Sequence, residues 1–257
     1  MRPFAVSAVL ISAVRFLWSR FGSFVALGGV PLVLFCGVNL VLERLPNPMA
    51  DQIGWVDVVF FHALYSASLL IPVPFYVAWH RMTLSLPVET RLGIIPKVGV
   101  REIRYGAYTL VLSLLVLPLY TEQFLPASVR REAETEWRVA LFFAGSYLVY
   151  TGLSVWVTAR LSFLFVGIAV DDAAAGWRST KDNVGRLMIF VAAIWVAVFA
   201  VDFVEVLITR GQTPELPIFP VAKAVVTIIG STILVSAVTI AFRETMGWVS
   251  RDVADIF

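Results

Sequence analysis

The sequence holds a single cysteine, Cys36, and two histidines, His62 and His80. One thiol excludes a disulfide within the chain and a zinc site of the multi-cysteine kind; Cys36 reads as a small core residue. The histidines stand 18 residues apart, about 27 Å along a continuous helix, so they do not share a metal. Charge is scarce as well. Asp, Glu, Lys and Arg make up 15% of the 257 residues, against about 25% in an ordinary soluble domain. The net charge of +2 is too small to point to a nucleic-acid partner. No glycine-rich phosphate loop, Gly-x-Ser-x-Gly elbow or His-Glu-x-x-His pattern occurs. No stretch alternates apolar and polar residues as the strands of a membrane barrel would. Catalytic residues, cofactors and metal ligands are therefore all expected to be none.

Apolar residues, by contrast, reach 59%, and mean hydropathy is +0.85. The fold class expected is all-α, a polytopic membrane protein forming a single domain over residues 1–257. A spanning helix needs about 20 apolar residues. Six stretches meet or approach that length: residues 21–42, 58–79, 105–120, 139–159, 187–208 and 220–242. Pro72 and Pro74 predict a kink in the second. Gly22, Gly28, Gly29 and Gly37 in the first read as close-packing or flexible positions.

The basic residues orient these spans. With the N-terminus in the cytoplasm, the segments on that side hold fourteen of the twenty Lys and Arg residues. Positive charge concentrates on the cytoplasmic side of membrane proteins, so both termini are expected there. Arg2 followed by an apolar run resembles a secretory signal, but Arg15 interrupts the run and no small-residue cleavage site follows. Ser12, Arg15 and Ser19 share one helical face, which fits an uncleaved helix lying in the interface.

Arginines recur at the inner ends of spans two, four and six, as Arg81, Arg160 and Arg243. Basic segments precede spans one and five, and Arg101 to Tyr105 holds the corresponding place before span three. The pattern suggests three tandem units of interfacial helix plus helix pair, beginning near Met1, Arg81 and Arg160. Such a repeat would be parallel, unlike the inverted repeats of many secondary transporters.

The inner segment after span four is the most distinctive. Arg160 leads an apolar stretch to Asp171 and Asp172, and Trp177, Arg178, Lys181 and Asn183 follow. Either aspartate can cap a following helix, with Arg178 and Lys181 at its cation-favouring end. Trp177 suits headgroup depth, and the cations suit anionic lipid. This arrangement, with Trp79-His80-Arg81, Leu84, Leu86, Pro87 and Glu89 in the first inner loop, resembles a broad group of bacterial six-helix integral membrane proteins. The group includes the membrane domain that precedes some glycerophosphodiester phosphodiesterases. Gly167 and Ala169 stand where the related loops often have a proline. The resemblance implies topology and a bacterial inner membrane, and no chemistry, since no catalytic domain is attached.

Asp202, Glu205 and Lys223 form a candidate intramembrane polar cluster. The two acids lie three apart on one face, and Lys223 enters the next span near the same outer depth. All three lie near span ends, where such groups can snorkel to water. The leading functional expectation is a non-catalytic inner-membrane protein of undetermined activity, acting through lipid or protein contacts. Its candidate contact residues are Arg81, Arg160, Trp177, Arg178, Lys181 and Arg243. Its expected partners are anionic headgroups on the cytoplasmic side and an unidentified membrane protein. A small transporter or permease component is the alternative, resting on the polar cluster. A lipid-processing membrane enzyme is the third reading, and clustering of His80 with several acids at one interface would favour it.

Overall fold

The computed structural model describes residues 4–44, 55–91, 95–116, 137–193, 196, 200 and 218–247. These are mostly helical. Helix α1 (Val6–Ser19) buries Val9, Ala13 and Leu17, four apart on one face, against the last helix of the chain. Ser12, Arg15 and Ser19 are exposed, as their shared face predicts, and so are Ile11, Val14 and Trp18. Helix α2 (Phe21–Arg44) follows after Arg20 and carries Pro31 inside it. Of the four glycines singled out in this span, Gly28 is a close-packing position, facing the Phe75 ring. Gly22, Gly29 and Gly37 face open space.

The second expected span is broken in two. Helix α3 (Trp55–Ser68) ends in a turn at residues 69–72, and helix α4 (Val73–Thr83) begins after it. Pro72 and Pro74 each lack the N–H that a continuing helix would use. Pro72 serves instead as the N-cap and Pro74 falls in the first turn of α4, where a missing donor costs nothing. A kink was expected; two ring constraints on either side of Val73 accompany a full interruption. Helix α4 buries Val73, Phe75, Val77, Ala78, Trp79, His80 and Thr83, which cover most of its circumference.

A short antiparallel hairpin pairs β1 (Thr90–Arg91) with β2 (Ile95–Pro96). Helix α5 (Val100–Val116) then starts earlier than the apolar run suggests. The Glu102 carboxylate accepts the Gly99 N–H at 2.7 Å, so the charged turn is capped into the helix. No separate short helix precedes α5 among the described residues, unlike α1 before α2.

Helix α6 (Trp137–Ala169) has 33 residues and runs about 50 Å, well beyond a hydrocarbon core of about 30 Å. The expected span ends at 159 with a loop after it. The helix instead continues through Arg160 because nothing in the next nine residues interrupts it and residues 162–169 are all buried. It stops at Asp171, which adopts φ 64°, while Asp172 N–H bonds the Gly167 carbonyl at 2.7 Å. Asp172 then caps helix α7 (Ala173–Thr180), accepting Ala175 N–H at 3.0 Å. Helix α7 folds back on α6 where Gly167 meets Gly176. A Cβ on Gly176 would collide with the Phe163 carbonyl, so only glycine permits the approach.

Helix α8 (Val184–Ala193) buries Leu187, Phe190 and Val191. Most of the fifth span beyond it lies outside the described residues. Helix α9 (Ile218–Met246) runs through the centre and contacts α1, α2, α4, α6 and α7. Its buried Thr232, Ser236 and Thr239 each bond the carbonyl four residues back, so hydroxyls sit in the core without an unmet donor.

Among the described residues, three helices are long and apolar enough to cross a membrane, over Phe21–Val38, Leu148–Ala169 and Val225–Met246. The densest packing gathers at one end of the molecule. There Phe163 meets Phe242 edge-on and Phe4 stacks on Phe190. Phe24, Phe75 and Trp79 form a second aromatic group.

Candidate functional site

The packed end is also the arginine-rich end. Arg81 sits in the last turn of α4, half-buried. Its Nε donates to the Pro87 carbonyl at 2.9 Å and its Nη1 to the Ala169 carbonyl at 3.1 Å. The second contact places a cation on the exposed carbonyls that end α6, the favourable sign for that helix dipole. Arg81 is thus turned inward.

Arg101, in the first turn of α5, holds Asp171 at 3.0 Å and Glu89 at 3.7 Å. Lys97 holds Glu89 at 3.2 Å. The Lys97 hydrogen bond and charge keep the exposed Glu89 carboxyl below its usual range. Burial, and then the neighbouring Arg101, lower the pKa of Arg81 from the ordinary guanidinium value, against the opposing pull of Asp171, Glu89 and Glu102. These charges line a cavity of about 340 Å³ between the end of α4, the hairpin, the start of α5 and the α6–α7 turn. Asp171 contributes from a left-handed backbone, φ 64°, where glycine is the usual occupant. Its carboxylate contact with Arg101 is a use for a side chain at that position.

A second group lies on α6 and α7. The Arg160 guanidinium sits 4.5 Å from the centre of the Trp177 ring, within cation–π range. The sequence names both residues, and the fold brings them together. Trp177 is 44% exposed. Arg178 is exposed, and its Nε donates to the Ala174 carbonyl of its own helix. Lys181 is exposed at the C-cap of α7, and Arg243 is exposed in the last turn of α9. Arg186 lies 5.7 Å from the Phe4 ring.

A third arrangement has no counterpart in the sequence reading. His80 is buried rather than interfacial, at 1% exposure. Thr239 Oγ1 donates to the Val235 carbonyl, so it accepts from His80 Nδ1 at 2.6 Å. The Tyr105 hydroxyl then donates to His80 Nε2, at 3.3 Å. This assigns the Nδ1–H tautomer by its partners. Trp79 Nε1 donates to Ser236 Oγ at 2.7 Å. The contacts of His80 are hydroxyls, and no carboxylate pairs with it among the described residues. One signal was available: Trp79-His80 inside an apolar run, matched by three hydroxyl residues on one face of the last span.

Asp202 and Glu205 lie outside the described residues. Lys223 is within α9, but its side chain is likewise outside the description. The fold therefore neither assembles nor separates that cluster. No group of three or more His, Cys, Asp or Glu side chains is placed to hold a metal among the described residues. No family model matches the chain, and no curated protein or solved structure matches it.

Proposed function

We propose that this chain is a six-span inner-membrane protein whose spans form three pairs, with both termini in the cytoplasm. Its role is non-catalytic, through contact with anionic lipid headgroups and a membrane-protein partner at the cytoplasmic side. The arginine-rich end is the cytoplasmic end, because basic residues are retained on that side. One observation carries the reading: Trp177 lies against Arg160 with its ring partly exposed, and Arg178 and Lys181 stand exposed beside it. An indole at headgroup depth flanked by cations is the arrangement that anionic lipid rewards, at about 1 kcal/mol per basic residue. Arg243 adds to the same basic side. The apolar side chains exposed along α2 and α6, such as Val33 and Leu148, need a lipid environment, since soluble monomers rarely leave such large patches uncovered.

The test is lipid retention by the whole protein. It is reconstituted in nanodiscs of phosphatidylcholine mixed with phosphatidylglycerol, released, and weighed by native mass spectrometry. Phosphatidylglycerol should be retained in preference. The double variant Arg178→Glu, Lys181→Glu should lose that preference with unchanged thermal unfolding. Equal retention of both lipids by the unaltered protein ends this reading.

A further inference from the structure

We propose that the cavity around Arg81 is a discrete binding site for one phosphate ester group, held by Arg81 with Lys97 and Arg101 at its rim. The inference deepens the headgroup reading above and rests on its placement of this end at the inner leaflet, but it concerns a different set of residues.

The argument begins with which cations have counter-ions. Arg101 takes both Asp171 and Glu89, and Lys97 shares Glu89. The third acid, Glu102, accepts the Gly99 N–H and reaches Arg81 only through space. Arg81 takes part in none of the ion pairs among the described residues, although it is half-buried. Its hydrogen bonds go to two main-chain carbonyls, through Nε and Nη1. Arg160 and Arg186 are also partly buried without an acid, but each lies over an aromatic ring. Arg81 instead lines the cavity.

Asp171, Glu89 and Glu102 act on Arg81 only through space; a partly desolvated guanidinium with no carboxylate in contact is under-paired, and an anion that supplies charge-assisted hydrogen bonds removes that cost. The planar fork of arginine suits phosphate, and Nη2 of Arg81 is left for it. Lys97 can turn from the exposed Glu89 at little expense, since surface ion pairs contribute about 0–1 kcal/mol. The cavity, about 340 Å³, falls in the range of small-ligand sites, about 300–1,000 Å³.

A phospholipid headgroup and a soluble phosphate ester share this chemistry, and two arms of one experiment separate them. The full-length protein is purified in detergent and stripped of lipid. It is titrated calorimetrically with dihexanoyl-phosphatidylglycerol and, separately, with glycerol 3-phosphate. One equivalent of either is expected to bind; the short lipid binding more tightly identifies a headgroup, and the reverse identifies a soluble ester. Lys97→Glu, on the exposed rim, should weaken binding at least about tenfold, as loss of a charge-assisted contact does. Arg81→Gln should abolish it. Because Arg81→Gln also loosens the end of α6, Lys97→Glu with unchanged unfolding is the deciding variant. Binding of neither probe, or full binding by Lys97→Glu, overturns the proposal. The two readings fail separately. Loss of this equivalent in Arg178→Glu, Lys181→Glu but not in Lys97→Glu would sink the cavity and leave the Trp177 surface standing. An absent phosphatidylglycerol preference in nanodiscs with one equivalent still bound would do the opposite.

Discussion

Helix α6 is apolar from end to end, yet its two halves live in different surroundings. In the first half Leu141, Phe142, Leu148 and Val149 are exposed, Leu148 at 71%. In the second half Phe163, Val166 and Ala169 are fully buried. Arg160 marks the change. The first half has the character of a lipid-facing surface, where apolar side chains need no protein partner. The second half is a protein core, closed by α7, α8 and α9. Hydropathy does not distinguish the two; packing does. A single continuous helix therefore joins an uncovered apolar half to a buried one.

The sharpest way to break this comparison is a matched pair of truncations. Phe163→Ala removes a ring buried against Phe242 and should cost about 3–5 kcal/mol. Leu148→Ala in the exposed half should stay within about 0.5 kcal/mol. Thermal or SDS-induced unfolding in one detergent measures both. Equal losses would mean that the outer half is also covered by protein.

Glycines provide the next contrast. Gly176→Ala forces a methyl into the Phe163 carbonyl, and the α6–α7 contact must open, at about 3 kcal/mol. Gly152 has nothing within 4 Å of an added Cβ. Gly152→Ala should therefore stabilise by up to about 1 kcal/mol through helix propensity alone. Opposite signs in the same unfolding assay are the expected result. A neutral Gly176→Ala would show that α7 does not rest on α6 as closely as this geometry requires.

The buried polar network separates the halves again. Tyr105→Phe removes only the hydroxyl that serves His80 Nε2. It leaves a buried acceptor without a donor, which costs about 1–2 kcal/mol. The same unfolding curves measure it. No change would show that the hydroxyl contributes nothing at its distance of 3.3 Å.

What the sequence made legible was local. The apolar runs of α2 and α9, and a helix cap at Asp171 or Asp172, follow from residues close together in the chain. The break at Pro72 was half legible: proline predicts lost donors, but whether the chain bends or stops depends on what α4 packs against. The extension of α6 past Arg160 was not legible, because an apolar stretch without a breaker reads alike as loop, core helix or span. His80 was missed because its partner Thr239 is 159 residues away. No periodicity within either segment encodes that contact. The charges around Arg81 gather from four segments for the same reason.

The smallest expected effects come from two adjacent aspartates with different roles. Asp172 accepts the Ala175 N–H, so Asp172→Ala should cost about 1 kcal/mol, the usual value of a lost N-cap. The loss should concentrate in α7, and faster amide exchange there with unchanged exchange in α9 would register it. Asp172→Asn should retain most of the cap. Asp171 instead occupies φ 64° and pairs with Arg101 at 3.0 Å. Asp171→Gly relieves a backbone strain of about 1 kcal/mol and forfeits an exposed ion pair of about 0–1 kcal/mol. The two terms oppose, so the net change should fall within about 0.5 kcal/mol. A larger loss would mean that the Arg101 contact, rather than the left-handed turn itself, holds α7 against the buried half of α6.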